Sequence, residues 1–196
     1  MLLVAAPAAA VPAPSAPSGA PARKGERPLT LFYGDTYCFG VVIPEGWVAD
    51  DTSGMGAKIR VVFYPRGQNW STATTVMYVN PIHQPAGAVR SLAQTIDHDV
   101  AEFRKHAPQG SVTPAPAIRT RSGQLGQVRY FAADGDRPTE AVAYLEEKDL
   151  VNLIVLSSRQ PDAFQHALGA FHDLVFQYRY VGGNLRTPTA PADPAR

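Results

Sequence analysis

The chain has a single cysteine, Cys38, in the stretch "YCFGVVIPEGW" (Tyr37–Trp47). A lone thiol can be a nucleophile, a lipid anchor or a small apolar residue. A nucleophilic thiol needs a neighbouring base or cationic field to lower its pKa. No histidine lies beside Cys38, and Tyr37, Phe39, Val41 and Ile43 are the neighbours of a core strand. A lipid-anchor cysteine follows an apolar signal run directly, whereas "DTY" precedes this one. Cys38 therefore reads as a packing residue. With one cysteine, neither an intramolecular disulfide nor a cysteine-type zinc site can form.

His98, Glu102 and His106 stand at i, i+4 and i+8 and share one ridge of a predicted helix. That spacing could hold a metal. The ridge faces away from the helix's apolar stripe, however, and no H-E-x-x-H accompanies it, so it reads as a solvated face. His166 and His172 point in different directions, and His83 lies in the loop "NPIHQP". Neither G-x-S-x-G nor S-x-x-K occurs, so no serine nucleophile is marked. The glycines of "GDTYCFG" and "SGMG" do not open a helix with a Lys-Ser or Lys-Thr pair, as a phosphate cradle requires. Asp50-Asp51 and Glu146-Glu147 sit beside turns and read as solvated carboxylates. No constellation supports an enzyme, and no cofactor or metal is expected.

What remains is the connection "RGQNWS", with Arg66, Asn69 and Trp70. Tryptophan with arginine on a loop is the composition of an interaction hot spot. The competing reading folds Trp70 back as a lid on the core. Trp47, following the "PEG" turn, is expected to pack on the first strand.

The 196 residues suit one domain with tails, and 45% hydrophobic content suits a packed core. The balance of 18 basic against 17 acidic residues gives a formal net charge of +1 and no electrostatic case for nucleic acid. Residues 1–28 are mostly Ala and Pro, with too few large apolar side chains to offset ordering entropy. Their start, "MLLVAAPAAAVPA", resembles the end of a secretory signal without its basic n-region, or else an apolar start to a low-complexity tail. Pro7 breaks the run too early for it to span a bilayer. Residues 182–196 read as a loose tail. The expected organisation is a leader at 1–28, one domain at 29–181 and a tail at 182–196, in a periplasmic or secreted setting.

Three strands are predicted first, in Cys38–Pro44, Lys58–Pro65 and Ser71–Pro81. Val89, Leu92, Ala93, Ile96, Val100, Phe103 and Ala107 then recur at helical spacing. Four strands follow, within Ser111–Arg121, Leu125–Asp134, Thr139–Glu147 and Leu150–Ser158. The first holds two prolines and should be an edge. The last is apolar on both faces and should be central. A second helix begins near Pro161, with Ser157 or Ser158 as its cap. This order gives an α+β domain with a mostly antiparallel sheet of six to seven strands flanked by two main helices.

"FGVVIPEGW", an apolar strand running into Pro44-Glu45-Gly46-Trp47, resembles the opening of the PsbP-like superfamily. The hairpins "GQVRYFAAD" and "AVAYLEEKDLVNLIVLSS" and the helix "PDAFQHALGAFHDLVFQYRYV" match its second half in order and character. That group includes the photosystem protein PsbP, a Ran-binding import factor and bacterial DcrB-like envelope proteins. The resemblance covers roughly residues 36–181. It implies an α/β/α sandwich without shared catalytic residues, working as an accessory or binding module. The expected role is an exported, non-enzymatic domain that binds an envelope protein. The alternatives are a small-molecule or lipid carrier with a pocket between sheet and helix, and an effector chaperone.

Overall fold

The computed structural model describes residues 27–182 apart from 35, 58, 84–90, 134, 136 and 149. The expected leader up to residue 26, the expected tail beyond Gly182, and Val89 thus lie outside the described residues. The elements run β1 (Leu29–Tyr33), β2 (Cys38–Val42), β3 (Trp47–Asp50), β4 (Val61–Pro65), β5 (Thr75–His83), α1 (Leu92–His106), β6 (Ser111–Arg119), β7 (Leu125–Ala132), β8 (Thr139–Glu146), β9 (Leu150–Ser158), α2 (Pro161–Gln177) and β10 (Arg179–Gly182). Seven strands form an antiparallel sheet in the order β3-β4-β5-β9-β8-β7-β6, and β1-β2-β10 form a second sheet. The domain is α+β with two helices, as the sequence indicates. Strand β2 belongs to the small sheet, and β1, β3 and β10 are strands that the hydrophobic pattern did not reveal.

Strand β9 occupies the middle of the large sheet because its sequence is apolar on both faces. Leu150, Ile154 and Leu156 enter one core, while Val151, Leu153 and Val155 enter the other. The first core is closed by α2, through Phe164, Phe171, Leu174 and Val175, and by Phe39 and Val41 of the small sheet. Phe32 and Phe63 join the two sheets edge-to-face at 6.3 Å. The second core lies under α1, of which only Thr95 and Ile96 are fully buried. Strand β6 is the sheet edge, and its register slips between Ala115 and Ile118. Pro114 and Pro116 lack the N–H that an inner strand would need.

The helix starts are made differently. Ser91 Oγ accepts from Gln94 N at 3.2 Å and Gln94 Oε1 accepts from Ser91 N at 2.9 Å, a reciprocal capping box for α1. Helix α2 has Pro161 in its first turn, but its N-cap is Gln160, which makes no side-chain cap bond. The expected serine cap is not formed, because Ser158 is still in β9, where its hydroxyl pairs with Thr75 Oγ1 at 2.7 Å.

Cys38 is 1% exposed in β2, opposite Tyr33, and burial raises its thiol pKa, so it stays protonated and packs. Trp47 packs on the first core from β3. Asp50 holds the following turn together, with Oδ1 accepting from Thr52 N at 2.8 Å and Ser53 N at 2.9 Å. Glu147 departs from the solvated reading. Tyr178 Oη donates to Glu147 Oε1 at 2.9 Å, Gln124 Nε2 donates to it at 3.2 Å, and buried Asn152 Nδ2 donates to Tyr178 Oη. Tyr178→Phe would leave the Asn152 amide and a half-buried carboxylate short of partners. Urea denaturation is expected to show a loss of ~1–3 kcal/mol, and an unchanged midpoint would mean that the network is solvated in practice.

Candidate functional site

The pleat of the large sheet puts alternate residues under α1, and the strand registers place them in rows. Asn80 of β5 lies beside Leu153 of β9, which pairs with Tyr144 of β8. The next row is Tyr78, Val155, Val142 and Arg129. The third runs through Val76, Ser157, Glu140 and Phe131. Helix α1 crosses over β8 and contributes Asp99, Glu102 and Phe103. Phe103 meets Phe131 edge-to-face with centroids 5.2 Å apart. Between helix and sheet an open cleft of about 290 Å³ remains, with Tyr78, Tyr144, Asp99 and Glu140 among its walls.

The polar groups of this cleft are held away from water without full compensation. Burial pushes the Asp99 carboxyl above its usual range, against the stabilising influence of the nearby Tyr144 hydroxyl and of His98. Burial likewise raises Glu140, despite a hydrogen bond from Ser157. Tyr78 and Tyr144 are both pushed up by burial, and then by the Glu140 and Asp99 charges. Tyr144 is 0% exposed, and its hydroxyl leans on the Asp99 carboxylate without closing a hydrogen bond of normal geometry. Buried hydroxyls in folded proteins are nearly always paired. Among the described residues, neither Asp99 nor Glu140 has an ion-pair partner, since the two bridges formed are Arg27–Asp173 and Lys105–Glu102.

The residues singled out in sequence lie elsewhere. Arg66 is exposed at the end of β4, and Trp70 is half-buried without belonging to either core. Asn69 folds its own turn: Oδ1 accepts from Ser71 N at 3.0 Å, Ser71 Oγ at 2.7 Å and Thr72 N at 3.1 Å. Along α1, Glu102 binds Lys105 at 2.5 Å, and His106 Nδ1 sits 3.1 Å from the Glu102 carbonyl. Among the described residues no group of three His, Cys, Asp or Glu side chains could hold a metal, and no helix is long and apolar enough to cross a membrane. Sequence reasoning missed Asp99 and Glu140. A signal existed: Asp99 lies between Ile96 and Phe103 on the inward side of α1, and Glu140 alternates with Val142 and Tyr144 on a strand face.

The raised carboxyl of Glu140 fixes the sign of a pH effect. Between the ordinary glutamate value of 4.5 and the raised one, the folded state binds more protons than the unfolded state. Stability is therefore lost as pH rises through that window. Asp99, Glu102 and Tyr78 add negative or neutral neighbours, and Arg129 faces the same side from β7. Glu140→Gln removes the ionisation. Its unfolding free energy is expected to exceed that of the parent at neutral pH and to converge with it near pH ~4. Parallel curves would show that Glu140 is solvated.

The sequence matches no protein-family model and no curated protein. Among solved structures, the solution structure of cyanobacterial PsbP (CyanoP) from Synechocystis sp. PCC 6803 superposes with a TM-score of 0.51 at 15% identity, over 85% of this chain and 100% of that chain. At that identity the likeness speaks for the fold alone, and the fold is PsbP-like.

Proposed function

We propose that this domain is a non-catalytic binding module that holds a small ligand in the cleft between α1 and the large sheet. The observation that carries the proposal is the buried Tyr144 hydroxyl, which leans on Asp99 without a hydrogen bond of normal geometry, on a cleft that also holds two carboxylates without ion-pair partners. Apolar walls with a few convergent polar groups are the usual make-up of a ligand pocket, and about 290 Å³ is at the small end of such sites. The described residues bring no nucleophile, base and orienting group together, which supports binding over catalysis. The signal-like start of the chain supports a periplasmic or secreted accessory role, in which the module would carry or sense its ligand.

A second reading, docking of an envelope protein on the Arg66–Trp70 connection, is favoured by the half-exposed Trp70 outside both cores. Trp70→Ala separates the two. It should leave cleft binding intact while abolishing a protein contact at that loop, read by affinity capture of the tagged chain.

Amide-resolved NMR with a fragment library tests the main reading. Shifts are expected to concentrate on residues 98–103 and 140–144. Val142→Phe, which projects a larger side chain into the cleft, should suppress them while keeping a cooperative melt. A library without a member that shifts these amides would overturn the proposal.

A further inference from the structure

We infer that the ligand of the α1 cleft is a small organic cation, an ammonium on an apolar or aromatic body, with Asp99 and Glu140 as counter-charges and Tyr144 Oη as a hydrogen-bond acceptor. The inference rests on the ligand-cleft reading above and names the chemistry of its occupant.

Three features of the cleft converge on this class. The first is charge. Asp99 and Glu140 approach from opposite walls, helix and sheet, and neither has an ion-pair partner among the described residues. Desolvated carboxylates without a cation are costly, and an opposite charge within ~4–6 Å reverses the penalty. Of the cations nearby, Lys105 is paired with Glu102, His98 acts on Asp99 without forming a bridge, and Arg129 donates Nη1 to the Val128 carbonyl at 2.9 Å, acts on Tyr144 and bridges neither carboxylate. The second feature is the Tyr144 hydroxyl, whose one proton serves Asp99. Tyr144 Oη has two lone pairs and no donor aimed at them, and an ammonium N–H supplies one. The third is the lining. Phe103 and Phe131 present ring surface beside the carboxylates, and aromatic faces attract cations.

Other occupants fit less well. An anion would meet Asp99 and Glu140 with like charge. A bare divalent metal requires several oxygen or nitrogen ligands at short range, and no such group of three exists among the described residues. A neutral body would fill the apolar part but would leave both carboxylates uncompensated. The volume limits size: at ~30 Å³ per water, the cleft corresponds to roughly ten waters, enough for a phenyl ring with a short ammonium arm.

An isosteric series tests the inference on the full chain at neutral pH. Phenethylamine, benzyltrimethylammonium, phenylacetate and phenethyl alcohol share a ring and differ in head-group charge. In NMR titrations, phenethylamine is expected to shift amides at 98–103 and 140–144, with affinity at least about tenfold above phenylacetate and the alcohol. Benzyltrimethylammonium, a cation without an N–H donor, should bind at the same amides but less tightly than phenethylamine. Asp99→Asn and Glu140→Gln should each weaken phenethylamine about tenfold or more while the fold melts at or above the parent temperature. Tyr144→Phe should weaken phenethylamine but not benzyltrimethylammonium while a cooperative melt is kept, since the Tyr144 hydroxyl leans on Asp99 alone. Lowering the pH should weaken the cations as the carboxylates protonate. Equal or tighter binding of phenylacetate or the alcohol at these amides would overturn the cation and leave the ligand cleft standing. The same shifts from calcium or zinc ions alone would also overturn it. Failure of every probe and every library fragment at these amides would overturn both readings.

Discussion

Everything in this domain is arranged around a strand that is buried on both faces. Strand β9 alternates Leu150, Ile154 and Leu156 with Val151, Leu153 and Val155, so each face of the sheet must find its own cover. Burying a large aliphatic side chain is worth roughly 1.5–3 kcal/mol. Six such residues in one strand make exposure of either face untenable. The chain meets the demand unequally. One face receives α2 and the small sheet, which bring Phe39, Phe171 and Tyr178, all fully buried. The other receives α1 alone, a helix with two fully buried residues. The cleft is the consequence of that inequality: it is the part of the second face that α1 does not fill.

The residues around the cleft are not those of a simple cover. A helix needed only as a cover would carry aliphatic residues along its inner stripe. Here Asp99 stands on that side between Ile96 and Phe103, and Glu140 stands on the strand face beneath. Both lose solvation without gaining an ion-pair bridge, and burial raises both carboxyls above their usual range, the direction in which ionisation at neutral pH opposes folding. Local violations of good packing chemistry are expected where a protein has work other than folding. Elsewhere Thr75 and Ser158 pair across β5 and β9, while Asn152 Oδ1, beside the Tyr178 network, also lacks a hydrogen-bond partner.

Much of the frame could be read directly from residue types. The doubly apolar "LVNLIVL" announced the central strand, the prolines of Ser111–Arg121 announced an edge, and the amphipathic periodicity announced α1. What escaped was set by tertiary neighbours. Strand β1 shows an ordinary alternation of Leu29, Leu31 and Tyr33, and it becomes a strand because β2 offers an edge whose Gly40 leaves room for Leu31. Strand β10 is four residues long and exists by pairing with β2 across the whole chain. The candidate site escaped for the same reason. Asp99 and Glu140 are separated by 41 positions, and only the fold, in which α1 crosses β8, brings them to one cleft. A search for spacing along the chain found His98, Glu102 and His106 instead, where helical geometry creates a ridge and no site.

Two other depressions of similar size sharpen the point that volume does not make a site. One of about 310 Å³ lies between Trp47, Pro65 and the start of α2, and another of about 320 Å³ lies among Leu31, Tyr33 and Met55. Neither contains a buried polar atom left without a partner, whereas the α1 cleft contains Tyr144 Oη. The overall charge of +1 gives no long-range field to draw a cation. On the proposed cation reading, selection occurs at contact, through desolvated carboxylates whose attraction is strong only for a charge that enters the low-dielectric space beside them. On that reading the head group that fits decides, and the discrimination comes from the helix that leaves the cleft half open.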